Sequence, residues 1–118
     1  MCMRRLLAGW GLSMPLLAFA HAHLLGSEPP ANAVIDQAPT VLRLRFSEPV
    51  EKNFARIEVK ADAQVLSLPA SSLQWDASGK VLEIKLPAHQ AQQYQVEWSI
   101  LAKDGHAGKG RLGFKRKP

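Results

Sequence analysis

The stretch Gln93-Tyr94-Gln95-Val96-Glu97-Trp98-Ser99-Ile100 alternates apolar and polar residues without a break. Successive side chains of an extended chain point to opposite faces. Tyr94, Val96, Trp98 and Ile100 therefore share one face, and Gln93, Gln95, Glu97 and Ser99 share the other. This is the pattern of a strand with one side on a core and one in water, and Trp98 is its central anchor. The same period recurs on both sides of it. Leu42, Leu44 and Phe46 alternate with Val41, Arg43 and Arg45, and Ile57 and Val59 with Arg56, Glu58 and Lys60. Leu82, Ile84 and Leu86 alternate with Glu83 and Lys85, and Leu112 and Phe114 with Arg111 and Lys115. Leu24 to Ser27 and Gln64 to Leu68 read as shorter strands. Turn-forming residues separate these runs, as at Glu28-Pro29-Pro30-Ala31-Asn32, Ser47-Glu48-Pro49 and Asp76-Ala77-Ser78-Gly79. Residues 50–56 and 88–93 have room for one helical turn each. Trp75, beside a turn, is expected to be only partly buried. About seven strands predict an all-β fold, a Greek-key antiparallel β-sandwich or barrel of immunoglobulin-like type.

Upstream of the strands, residues 1–22 have the form of a secretory signal peptide. Arg4 and Arg5 supply the positive start, Leu6 to Ala20 the apolar run, and Ala20-His21-Ala22 an A-x-A cleavage site. The apolar run is 15 residues, short of the roughly 20 that span a bilayer. Cleavage after Ala22 leaves one domain, 23–118, with no membrane span. It also removes Cys2, Met1, Met3 and Met14, so the exported domain contains no Cys, no Met and no disulfide. The net charge of the 118-residue chain is +5. Arg4, Arg5 and Lys115-Arg116-Lys117 account for all of that excess. The charge therefore gives no reason to expect a nucleic-acid partner.

Cleavage at that point makes His23 the N-terminal residue. An N-terminal His offers a metal its free α-amine and its ring Nδ1 in one chelate. In Lys103-Asp104-Gly105-His106, Asp104 and His106 are two apart and project to the same side of an extended chain. Taken singly, a D-G-H sequence is an ordinary turn and a terminal His an ordinary terminus. Together they make a set of one amine, two imidazoles and one carboxylate, which suits tetragonal Cu(II). The absence of Met and Cys argues against a thioether Cu(I) site or a blue-copper site. His89, beside Pro87-Ala88, reads as a solvated loop residue and not a ligand, and Glu48 as a turn carboxylate. No activated Ser, no Cys and no framed carboxylate pair suggests an enzyme. Two rival readings stand beside the copper carrier. One is a copper-dependent oxidative enzyme gripping its metal through an N-terminal His and a second His. The other is a metal-free β-sandwich that binds a partner.

The same residues resemble the CopC/PcoC periplasmic copper-resistance proteins. The likeness runs through His23-Leu24-Leu25-Gly26-Ser27-Glu28-Pro29-Pro30, Leu42-Arg43-Leu44-Arg45-Phe46-Ser47-Glu48-Pro49-Val50, Tyr94-Gln95-Val96-Glu97-Trp98, Asp104-Gly105-His106, Gly110 and Phe114. It implies a periplasmic protein of copper resistance or homeostasis that sequesters, buffers or transfers copper. By the resemblance one Cu(II) per chain is held by His23, Asp104 and His106, with Glu48 close to the site in weak or outer contact. It further implies exchange of copper with an inner-membrane copper transporter or another periplasmic copper protein. Some members also carry a Met-rich loop for Cu(I); the corresponding stretch here, roughly Val59 to Leu73, has no Met. The resemblance thus implies a member with the Cu(II) site alone.

Overall fold

A computed structural model describes residues 22–118. The signal-peptide reading of the chain before Ala22 lies outside the described residues. Nine strands are present among them: β1 (Leu24–Glu28), β2 (Val34–Ile35), β3 (Val41–Phe46), β4 (Arg56–Ala61), β5 (Gln64–Val65), β6 (Leu73–Trp75), β7 (Val81–Lys85), β8 (Gln93–Leu101) and β9 (Ala107–Arg116). They form two sheets, ordered β1-β3-β7-β6 and β2-β9-β8-β4-β5. The chain passes from one sheet to the other between β1 and β2, β2 and β3, β3 and β4, β5 and β6, and β7 and β8, crossings of the kind a Greek-key sandwich makes. The two sheets do not close into a barrel, so of the two architectures expected the sandwich is the one formed.

The alternation read from the sequence is the alternation of burial. Leu42, Leu44 and Phe46 of β3, Leu82 and Ile84 of β7, and Tyr94, Val96, Trp98 and Ile100 of β8 all lie in the core. Their polar neighbours face outward. Phe46 is fully buried and ties the sheets together, its ring 6.3 Å from Trp98 in an edge arrangement and 6.1 Å from the half-buried Trp75. No polar or charged residue is buried among those described. Burial of apolar surface is therefore the main force holding a fold without disulfides.

Four local expectations change. β2 pairs with β9 in parallel, an exception in an otherwise antiparallel sandwich. β5 is only Gln64–Val65, although the buried Leu66 still donates its N–H to the Val59 carbonyl at 2.8 Å. The helical turn expected within 50–56 is a short 3-10 turn at Lys52–Phe54, while 88–93 contains no helix and a second 3-10 turn lies at Ala70–Ser72. Finally, β9 begins at Ala107, well before Leu112. Its first half looked featureless because its inward positions are Gly108 and Gly110. A side chain at Gly110 would meet the Trp98 ring 2.7 Å away, and one at Gly108 would meet the carbonyl carbon of Ala22 at 2.9 Å. The core at these positions is filled by neighbours, not by β9.

Candidate metal centre

The candidate ligands come from three segments that meet at one end of the sandwich. β1 pairs with β3 so that Leu24 lies opposite Phe46. Just beyond that register, the Ser47 N–H donates to the His23 carbonyl at 2.8 Å, and the His23 N–H donates to Ser47 Oγ at 3.0 Å. Ser47 thus grips the backbone of His23 on both sides. One residue earlier, Ala22 crosses to the other sheet. Its N–H donates to the Ala107 carbonyl at 3.3 Å, and the residue is only 2% exposed. The third segment is the β8–β9 hairpin turn. It is fastened to the stretch after β3 by a bridge between Val50 and Ala102 and by the Lys103 N–H donating to the Pro49 carbonyl at 2.9 Å.

Within that turn Gly105 has φ +94°, a left-handed conformation that favours glycine. It reverses the chain so that Asp104 and His106 face each other. Asp104 Oδ1 accepts the His106 backbone N–H at 3.0 Å, and Asp104 Oδ2 lies 3.1 Å from His106 Nδ1. Both side chains are 44% exposed. With the neutral ring, Nδ1–H donates to the carboxylate and the lone pair is left on Nε2. A carboxylate holding one nitrogen of a metal-binding imidazole is a recurrent arrangement, because it fixes the tautomer and makes the other nitrogen more basic.

The fold therefore seats His23, the Ser47-Glu48 corner and the Asp104–His106 turn side by side. The side chains themselves are not drawn into one cluster. Among the described residues no three His, Cys, Asp or Glu side chains are close enough together to hold a metal. Asp104 is turned onto His106, and the His23 nitrogen is an amide joined to Ala22. Glu48 is half-buried on the corner beside Ser47. Donor type still fits copper: nitrogen and oxygen atoms, with no sulfur among the described residues.

Larger hollows lie elsewhere. An open depression of about 820 Å³ on the outer face of the five-stranded sheet contains none of the candidate ligands, and its Glu58 and Glu97 are interspersed with Arg56, Lys109 and Arg111. A cleft of about 460 Å³ touches His23, but its other charged residues are Lys109 and Arg111. That cationic lining repels a metal ion.

The third histidine among the described residues corrects the sequence reading. His89 is not solvated. It is half-buried at the opposite end of the sandwich, with Nδ1 2.8 Å from the Pro87 carbonyl and Nε2 2.8 Å from the Tyr94 hydroxyl. A carbonyl only accepts, so Nδ1 carries the proton and Nε2 accepts the Tyr94 O–H. Sequence reasoning also missed Ser47 and Gly108. The spacing Gly108-x-Gly110 was the available signal for the latter, since glycines at the inward positions of a strand mark a close approach.

The structure is that of a small, disulfide-free β-sandwich whose candidate nitrogen and oxygen donors lie on neighbouring segments at one end, without forming a cluster. The chain belongs to the CopC domain family, whose model matches residues 24–117. The proteins of that family bind copper and are not enzymes. The chain is 34% identical over 101 residues to protein YobA of Escherichia coli (strain K12), covering 84% of this chain and 81% of that one. It is 28% identical over 103 residues to the copper transport protein CutJ of Bacillus subtilis (strain 168), where 86% of this chain matches 19% of that protein. Its fold matches the crystal structure of CopC from Methylosinus trichosporium OB3b with a TM-score of 0.73 and 23% identity, covering 83% of this chain and 95% of that one.

Proposed function

We propose that this chain is a periplasmic copper-binding protein that takes one Cu(II) per molecule and serves copper resistance or homeostasis. The observation that carries the reading is the backbone arrangement at one end of the sandwich. Ser47 fixes His23 beside β3, while the N–H of Ala22, the residue before His23, is bonded to Ala107, one residue from His106. Removal of residues 1–22 converts the His23 amide into an amine and makes the chelate of amine and Nδ1. His106 supplies a second imidazole, and Asp104 either ligates copper or orients His106. Glu48, on the corner next to Ser47, contributes a weak or outer contact. Family membership and the copper transport relative support copper as the cargo. Handover to an inner-membrane transporter or another periplasmic copper protein completes the role.

The test is a titration of the chain that begins at His23. One equivalent of Cu(II) is expected, with the spectrum of a tetragonal, nitrogen-rich site and preference over Zn(II). Two tight equivalents, or equal competition by Zn(II), would overturn the reading. Mass spectrometry of the exported protein checks the processing step: a mass starting at any residue other than His23 rules out the amine ligand.

A further inference from the structure

The edge of β9 that faces away from β8 is covered at its two ends and bare between them. At one end the Ala107 carbonyl accepts the Ala22 N–H at 3.3 Å. At the other the Gly113 carbonyl accepts the Asn32 N–H at 2.7 Å, and the Lys115 N–H donates to the Ala33 carbonyl at 2.9 Å. These odd-numbered residues turn their backbone groups away from β8. Backbone direction alternates along an antiparallel strand, so Lys109 and Arg111 turn theirs the same way. Among the described residues no hydrogen bond reaches that side of either. We infer that this bare edge is a docking strip for an extended acidic segment of a partner protein. The segment adds to β9 as a strand and presents an acidic, an apolar and an acidic residue in succession.

Charge selects the outer residues of that segment. The bare edge opens on the cleft of about 460 Å³ whose opposite wall is β1. The Lys109 and Arg111 side chains are exposed, and neither forms an ion pair among the described residues. Within the sheet Lys109 lies opposite Ser99, and Arg111 opposite Glu97. One carboxylate thus stands across from two cations on the paired side, and the bare side supplies none. Residues directly opposite each other in neighbouring strands share a face. Carboxylates placed opposite Lys109 and Arg111 therefore meet both cations on the outer face of the sheet.

Shape selects the residue between them. It stands opposite Gly110 and faces inward. Gly110 puts no side chain there, and the Trp98 ring lies 2.7 Å from where its Cβ would be. Trp98, Leu24 and Leu112 all line the cleft, so this place takes an apolar side chain. A second copy of the chain is a poor occupant. Pairing β9 with β9 brings Lys109 and Arg111 of one copy against those of the other, and like charges directly opposite destabilise a strand pair. Charges on an edge also serve simply to keep sheets from pairing, and the experiment separates that role from docking.

The probe is a synthetic eight-residue peptide with a central Glu-Val-Glu, titrated into the protein as exported. A chelator is present, because acidic peptides themselves bind metal ions. Affinity is read by calorimetry, contact at Trp98 by its fluorescence, and strand addition by amide hydrogen exchange. The peptide should bind one to one, shift the Trp98 emission and slow exchange at the Lys109 and Arg111 amides. The same peptide with a methylated backbone, or with Lys-Val-Lys at its centre, should not bind. Lys109→Glu combined with Arg111→Glu should weaken binding of the Glu-Val-Glu peptide at least about tenfold. That variant should instead take up the Lys-Val-Lys peptide, which shows that it still folds. No binding of the Glu-Val-Glu peptide would mean that the charges only guard the edge, and would overturn the inference. Binding without protection of the Lys109 and Arg111 amides, or equal binding of the methylated peptide, would reduce it to diffuse charge attraction and overturn it too. So would protection of the same amides by self-association of the protein without any peptide.

Discussion

The two ends of this sandwich each present a histidine on a turn, and they use it in opposite ways. His89 has both ring nitrogens engaged, by the Pro87 carbonyl and the Tyr94 hydroxyl. Its ring also meets Tyr94 edge-on at 5.4 Å, and Tyr94 stacks on Phe114 at 4.8 Å. Burial holds the Tyr94 phenol protonated to higher pH than usual. Such a histidine is structural, because it has no lone pair left for a metal. His106 has one nitrogen against Asp104, and no hydrogen bond among the described residues reaches its Nε2. The comparison teaches that a histidine is assigned by counting what its two nitrogens already do. Sequence neighbours do not reveal this.

The sharpest way to break the contrast is at the terminus. Adding a single residue before His23 turns the amine back into an amide. Copper affinity is expected to fall by at least about a hundredfold, measured by chelator competition, with the fold unchanged. An extended chain that binds as tightly as the processed one would remove the chelate from the account. His106→Ala comes next, with a loss approaching a hundredfold, while His89→Ala should leave copper affinity unaltered. If both substitutions weaken binding equally, the two ends are not functionally distinct.

Acidity tests the same assignment. The amine and both imidazoles must be unprotonated to ligate. Affinity should therefore fall as pH drops below about 7, by at most about three decades per unit at the acid end, where three protons compete for the donors. A flat profile between pH 5 and 8 would mean that other atoms bind the metal.

Stability sharpens the contrast from the other side. His89→Ala removes two hydrogen bonds and a ring contact, and should cost about 1–2 kcal/mol of unfolding free energy in denaturant titration. Tyr94→Phe leaves His89 Nε2 without its donor and should cost about 1 kcal/mol. His106→Ala should change stability less than either, since its side chain is 44% exposed. The smallest effect concerns the Asp76 turn. There the Ser78 hydroxyl donates to Asp76 Oδ1 at 2.8 Å and the Val81 N–H at 3.2 Å. These bonds, with the Ser78 hydroxyl foremost, hold the Asp76 carboxyl below its ordinary range. A carboxyl whose folded value is depressed stabilises the fold above its unfolded value, and that contribution is lost as pH falls through the folded one. Asp76→Asn should therefore reduce the loss of stability on acidification below about pH 4. An unchanged acid limb would show that the turn contributes nothing to it.

Much of the fold was legible because period-two burial is a local property. A run such as Tyr94-x-Val96-x-Trp98-x-Ile100 can be satisfied only by an extended segment with one wet face. Where the signal failed, the missing information was non-local. The first half of β9 carries glycines inward because Trp98 and Ala22, remote in sequence, occupy those places. β2 could not be seen in two residues, since its pairing is decided by the parallel approach of β9. His89 is the local exception: its partner Tyr94 is five residues on, and the turn that brings them together carries no period to read.

The sequence by itself determined the kinds of atoms available: a histidine after an A-x-A site, an Asp and a His two apart across a glycine, and no sulfur from Ala22 onward. Those facts bound the chemistry to nitrogen and oxygen donors, because side-chain composition does not depend on folding. Only the tertiary structure decided that His23 lies beside the turn carrying Asp104 and His106. That adjacency is made by β1 pairing with β3, by the double hydrogen bond to Ser47, and by Ala22 resting on the bare backbone of Gly108. Each of these joins residues at least 15 positions apart in the sequence. Contacts of that range are fixed by the packing of two sheets against each other, and no local pattern encodes them.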